Sequence, residues 1–365
     1  MLPPTPPRGM APGRRVCDWR VAVRRLSGRH VYKTLDDLPW TDEAWLATAN
    51  EWIDGELARV GLTPAGPREQ PHIRPWSTVL RVPTNDGDLY FKAVWPPQVH
   101  EAALTAALSS WLPRFTPELI AVRPATGWLL LRDAGLRLRE ILKQEQDISR
   151  WREVLARYAV AQINLADRAK SILDLGVPDR RPAVVADHLT DLLEDSRALR
   201  VGLPDGLSVD EHSRMRELLP RIQSQLAALA DSDVPATLEH NDFHDGNVCL
   251  LKNDYRVFDW GDACVTHPFV VLRVGLRSIA HTFDLAADGP EITELRDAYL
   301  EPWSAFAPRP QLLAEVQPAL ILAAACRAFS WRLVVNELDP PLLDEWADTV
   351  AYSVRSLLEL AETTT

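Results

Sequence analysis

Residues 239–262 constrain this chain more than any other stretch. Two short β-prone runs, Val248–Leu251 and residues 255–258, flank Lys252-Asn253-Asp254. A hairpin turning near Asn253 leaves Asn247 and Asp259 equidistant from the turn. The sequence therefore predicts a carboxamide and a carboxylate across from each other at the open end. Asp242 sits on the loop that feeds the first strand. Two oxygen ligands beside a further carboxylate suit Mg²⁺, a hard ion that keeps several waters and draws its other ligands from phosphates. A carboxylate next to such a metal can accept a hydroxyl proton or orient that hydroxyl for in-line attack.

What surrounds this unit reads as two regions. Upstream, Trp45, Leu46, Ala49, Trp52, Ile53 and Leu57 recur at helical spacing, with Thr41 as the expected cap. Residues 78–82 and 88–95 read as a hairpin about Asn85-Asp86-Gly87. Strict alternation puts Leu89, Phe91, Ala93 and Trp95 on one face and Lys92 on the other. A short apolar helix over 100–112 and strands over 119–122 and 128–131 complete a small mixed lobe. After Asp133 the pattern turns helical: 148–165, 183–199, 211–230, 270–284, 291–302, 310–336 and 341–361.

At 365 residues the chain fits about two lobes or domains. Its 46% hydrophobic and 25% charged content is that of a folded globular protein. A net charge of −11 argues against nucleic acid as a partner, since a phosphate backbone needs a basic footprint. The four cysteines, Cys17, Cys249, Cys264 and Cys326, form no CxxC pair and are expected as buried free thiols. No run of about 18 apolar residues occurs, so no membrane span is expected. The proline-rich, basic start lacks the apolar stretch of a signal peptide. A cytoplasmic location is the resulting expectation, with residues 1–34 as an N-terminal extension.

The pattern His-x-Asp-x-x-x-x-Asn followed by Asp on a hairpin resembles the aminoglycoside phosphotransferase and choline kinase-like family, relatives of the protein kinases. His240, Asp242, His244, Gly246, Asn247, Asp259 and Trp260 carry the resemblance. It implies an α+β, protein-kinase-like two-lobe fold, with a nucleotide-binding lobe over 35–132 and a helical lobe over 133–365. The latter holds the catalytic loop and metal site at 238–262. It also implies an ATP- and Mg²⁺-dependent kinase that phosphorylates a small-molecule hydroxyl acceptor: an aminoglycoside, amino sugar, sugar or amino alcohol. By the same resemblance Asp242 is catalytic, Asn247 and Asp259 bind metal, and His240 props the loop, with His244 and Asp262 in support. Lys92 would hold ATP phosphates and Glu101 would hold Lys92. The phosphate-covering loop has no glycine, so Ser77 and Thr78 are the candidates to touch phosphate. Residues 128–133 match the hinge whose backbone would bind adenine. Asn241 replaces the family's usual glycine, and Asn is the residue next most tolerant of positive φ.

Other readings stand beside these. A catalytically silent nucleotide-binding protein of the same fold would keep these residues without transferring phosphate. His-x-Asp-x-His-Asp also looks like a fragment of a transition-metal hydrolase site, but the remaining histidines form no ligand-spaced motif. Asp262 fits either a functional role or a cap. Trp303, Trp331 and Trp346 fit an acceptor pocket or core. The acidic residues Glu337, Asp339, Asp344, Glu345 and Asp348 are expected as a solvated helix start.

Overall fold

The alternation at 88–95 becomes the middle strand of a sheet. The computed structural model describes residues 32–363, so the proline-rich extension and Cys17 lie outside the described residues except at the extension's last few positions. The sheet comprises β1 (Glu69–Arg74), β2 (Ser77–Thr84), β3 (Gly87–Val94), β4 (Leu119–Arg123) and β5 (Trp128–Arg132). Its order is β1-β2-β3-β5-β4 and each neighbouring pair is antiparallel. Helix α1 (Glu43–Arg59) covers one face, where Ala49, Trp52, Ile53 and Leu57 pack against Leu80, Leu89, Phe91, Ala93 and Leu130. Lys92 points from the other face, toward helix α2 (His100–Trp111).

Two local expectations change. The cap of α1 is Asp42, whose carboxylate accepts from Trp45 N at 2.9 Å. Thr41 instead closes the preceding turn, donating to Leu38 O at 2.8 Å. Strand β1 is an addition. Its Glu-Gln-Pro-His sequence has little β-propensity, and it survives as an edge strand, where Pro71 costs the sheet no interior hydrogen bond.

The rest is helical: α3 (Leu138–Glu145), α4 (Ser149–Leu165), α5 (Ala169–Asp174), α6 (Pro182–Glu194), α7 (Ser196–Leu199), α8 (Val209–Ala230), α9 (Val271–Phe283), α10 (Pro290–Leu300), α11 (Arg309–Asn336) and α12 (Thr349–Glu362). The single helix expected over 183–199 breaks at Asp195. That carboxylate caps α7 through Ala198 N at 3.0 Å and receives Arg332 Nε at 2.6 Å. By length and composition alone helix α11 could cross a membrane, although it holds no unbroken run of 18 apolar residues. Half of its most apolar stretch is buried inside the protein. Ile321, Leu322, Ala324 and Cys326 lie in the core, so α11 packs as a core helix.

Embedded among the helices are β6 (Leu136–Arg137), β7 (Thr237–Glu239), β8 (Val248–Leu251), β9 (Asp254–Val257) and β10 (Cys264–Thr266). Strands β6, β8 and β9 form one small sheet, and β7 pairs with β10. Gly135, at φ +90°, lets the chain enter β6: a Cβ there would lie 2.5 Å from Leu250 O. Cys249, Cys264 and Cys326 are buried free thiols.

Candidate active site

The hairpin forms, with a register one residue from the expected one. Leu251 pairs with Asp254, so the turn is Lys252-Asn253, with Lys252 at φ +60°. Val248 then pairs with Val257, and Phe258 N donates to Asn247 O at 3.2 Å. Asp259 is therefore not opposite Asn247. It lies one position beyond, where the chain turns left-handed at φ 68°, ψ 56° and leaves the strand direction.

Lys92 meets Asp259 here. Its Nζ lies 2.7 Å from Glu101 Oε1 and 2.5 Å from Asp259 Oδ1. Strand β3, helix α2 and the end of β9 thus converge on one ammonium. Glu101 Oε1 also accepts from Trp260 N at 3.1 Å, which ties α2 to the segment after Asp259. The side chains of Lys92 and Glu101 are 13% and 2% exposed, that of Asp259 50%, so the triad opens to solvent on the Asp259 side. Burial alone would discharge Lys92, but Asp259 and Glu101 outweigh it and hold the ammonium charged. Burial raises the pKa of Glu101. Burial likewise opposes ionisation of Asp259, but Lys92 prevails and lowers its pKa.

The loop carrying Asp242 is fixed from below. Glu239 is wholly buried. It accepts from Asn241 N at 3.1 Å, Gln162 Nε2 at 2.8 Å and Tyr158 OH at 3.3 Å. Burial pushes its carboxyl up to about 8. His240 Nε2 lies 2.9 Å from Phe258 O, so it donates there, and its Nδ1 accepts from Asp242 N at 3.3 Å. Its ring packs 4.7 Å from that of Trp260. Desolvation lowers its pKa, consistent with a neutral ring that ties the loop to the end of β9. Asn241 takes φ +61°, the left-handed region where the family glycine would stand.

Asp242 Oδ1 lies 3.5 Å from Arg327 Nη1, and its Oδ2 lies 3.6 Å from His244 Nε2. Burial would raise its pKa. Arg327 and His244 reverse that and hold the carboxyl well below the usual carboxylate range. Asn247 Nδ2 donates to Asp242 O at 3.1 Å, which commits its nitrogen and leaves Oδ1 as its ligand atom. His244 Nδ1 accepts from Gly246 N at 3.0 Å and shapes the turn into Asn247. Asp262 does not cap a helix: it binds Arg327 Nη1 at 2.9 Å and Gln98 Nε2 at 3.4 Å.

The structure does not bring Thr78 to the cleft. Its hydroxyl is buried, donates to His72 O and accepts from Gln70 Nε2, both at 2.9 Å. Ser77, also buried, faces His72 Nε2 at 3.3 Å. The turn between them and β1 carries Trp76, whose ring meets Trp346 at 4.9 Å and Trp331 at 5.7 Å. Trp331 and Trp346 therefore bridge the small sheet to the helices, whereas Trp303 is core. Asp339 of the acidic group pairs with Arg197. Arg327 is the site residue that motif reading missed. A lone charge in the run LILAAACRAFSW was the available signal.

Among the described residues no group of three or more His, Cys, Asp or Glu converges as a metal cage. A metal at Asn247 and Asp259 would take most of its ligands from water and phosphate, which fits Mg²⁺.

The sequence matches the phosphotransferase enzyme family over residues 21–310. Among solved structures, an ethanolamine kinase from Plasmodium vivax superposes with a TM-score of 0.57 at 14% identity, covering 94% of this chain and 95% of that one. A choline kinase from Cryptosporidium parvum Iowa II gives 0.56 at 13%, covering 86% and 97%. A choline/ethanolamine kinase family protein from Mesorhizobium loti gives 0.50 at 18%, covering 85% and 99%. A search of curated proteins gives no match. The shared architecture is the two-lobed kinase-like fold, and with more than half of its length matched, the chain belongs to the phosphotransferase enzyme family.

Proposed function

We propose that this protein transfers the γ-phosphoryl group of ATP to a hydroxyl of a small molecule. The observation that carries this reading is the Lys92 ammonium, held between buried Glu101 and half-exposed Asp259. A cation so placed is a ready phosphate ligand. Glu101 prevents it from swinging away when phosphate replaces Asp259 as its partner. Asp242 orients the acceptor hydroxyl and takes its proton. Because Arg327 and His244 keep it ionised, it is ready to do so at neutral pH. Asn247 and Asp259 hold Mg²⁺, which neutralises charge on the phosphate chain. His240 and Glu239 keep the loop in place. Ser77, the first residue of β2, is retained as the candidate phosphate contact, and the backbone of residues 128–133 as the adenine contact. Catalysis here is positioning plus electrostatics. Three buried free thiols suit a reducing, cytoplasmic setting.

The test is acceptor dependence. With Mg²⁺ and ATP, a panel of amino sugars, sugars, amino alcohols and hydroxy acids is expected to contain a compound that drives ADP formation and gains a phosphoryl group by mass spectrometry. ATP turnover unaffected by every hydroxyl compound would count against the proposal.

A further inference from the structure

Two arginines in the described structure are more than nine-tenths buried, Arg180 and Arg273. Arg180 is satisfied: it donates to Cys326 O and, at 2.9 Å, to Ser330 Oγ. Arg273 is not. Its Nε and Nη2 are buried with no hydrogen-bond partner among the described residues, and it makes no ion pair with any described carboxylate. Leaving a guanidinium buried and unpaired is costly, so such a group calls for an explanation.

Its surroundings are positive. Helix α9 places Arg277 one turn on from Arg273. Arg277 is exposed and donates to Tyr352 OH at 2.6 Å. Arg327 stands on α11, which packs against α9, and α9 also meets the catalytic loop, where Ser278 Oγ donates to Asp245 Oδ1 at 3.0 Å. Burial, then repulsion by Arg277 and Arg327, pushes the pKa of Arg273 down to about 10. Tyr352 and Glu359, both on α12, act in the opposite sense but more weakly. Arg327 has carboxylates of its own, Asp262 and Asp242. Arg273 therefore remains the uncompensated charge, and Arg327 links it to the carboxylate expected at the acceptor hydroxyl.

Building on the kinase reading, we propose that Arg273, with Arg277 and Arg327, seats an anionic group of the acceptor, so that the substrate is a hydroxyl compound bearing a carboxylate or a phosphate. A cationic amino sugar or amino alcohol would meet repulsion at this position. Forked guanidinium donors suit either anion.

Calorimetry at saturating Mg·ADP, which keeps the nucleotide site filled, tests this with four related probes: glycerate, glycerol 3-phosphate, glycerol and ethanolamine. Glycerate or glycerol 3-phosphate is expected to bind the wild type, and whichever binds identifies carboxylate or phosphate as the anion. Arg273→Met is expected to weaken that binding by about tenfold or more, with Arg273→Lys between the two. Neither change should alter the affinity for Mg·ADP. Because Arg273 has no hydrogen-bond or ion-pair partner to lose among the described residues, Arg273→Met is also expected to melt at or above the wild-type temperature, which a structural arginine would not do. Ethanolamine binding in preference to both anions would overturn the proposal. So would anion binding unchanged in Arg273→Met, or no anion binding at all. Failure of Mg·ADP to bind the wild type would count against the kinase reading, while anion binding lost in Arg273→Met would still support the site.

Discussion

Replacing Asp242 with alanine is expected to lower kcat by about 10²- to 10⁴-fold, the usual worth of a positioned proton acceptor. The KM for ATP should hardly change, because Asp242 touches neither Lys92 nor Glu101. The fold should survive as well. Arg327, the cation beside Asp242, keeps Asp262 at 2.9 Å, so no buried charge is stranded. The pH profile adds a second readout. The pKa of Asp242 is depressed, so its carboxylate persists above that lowered value and is lost only as pH falls through it. Protonation of Asp242 should therefore not limit the wild-type rate anywhere in the ordinary carboxylate range. Steady-state kinetics with any acceptor that supports turnover would check both statements. An Asp242→Ala enzyme with near-wild-type kcat would remove Asp242 from the chemistry.

Lys92→Met should act on stability as well as activity. The substitution leaves Glu101, 2% exposed, without its counterion, and Glu101 Oε2 already lacks a partner. Breaking a buried pair on one side costs about 3–5 kcal/mol. The sign of the pH effect follows from Glu101. Burial already raises its pKa, and losing Lys92 raises it further. A carboxyl with a raised folded-state pKa favours folding below its unfolded value of about 4.3, and that contribution is lost as pH rises through the folded value. The deficit of Lys92→Met should thus be larger at about pH 8 than at about pH 5. Adding Glu101→Gln should recover part of it, since the amide oxygen can still accept from Trp260 N. Urea midpoints of the single and double variants at the two pH values would show this. Equal deficits at both would mean that Glu101 is not stranded.

Much of this could be read from the sequence, for physical reasons that differ by element. Strand β3 was legible because one buried face forces strict alternation. The loop at 239–247 was legible because left-handed Asn241, buried Glu239 and the His240–Phe258 bond leave few residue choices. The hairpin register was missed by one because Lys252 adopts positive φ, which shortens the turn to two residues and moves Asp259 past Asn247. Strand β1 was missed because an edge strand needs no β-rich composition. The break at Asp195 was missed because the bond that holds its carboxylate in place comes from Arg332, on a helix more than 130 residues away. Thr78 was misplaced for a related reason: the partners of its hydroxyl, Gln70 and His72, lie on that unforeseen strand. Arg327 reaches the site by helix packing, which no local motif encodes.

The central claim is that nucleotide and Mg²⁺ meet at Asp259, and thermal unfolding of wild type and Asp259→Asn tests it most directly. Asparagine is preferred to alanine because it tolerates the left-handed backbone at this position. A ligand at about 100 times its Kd stabilises the folded state by about 2.7 kcal/mol, enough to move the melting temperature visibly. Wild type is expected to melt higher with ATP and Mg²⁺ together than with ATP and a chelator, and Asp259→Asn is expected to lose that difference. An ATP-induced rise of equal size with and without Mg²⁺, or one that Asp259→Asn keeps in full, would contradict the account.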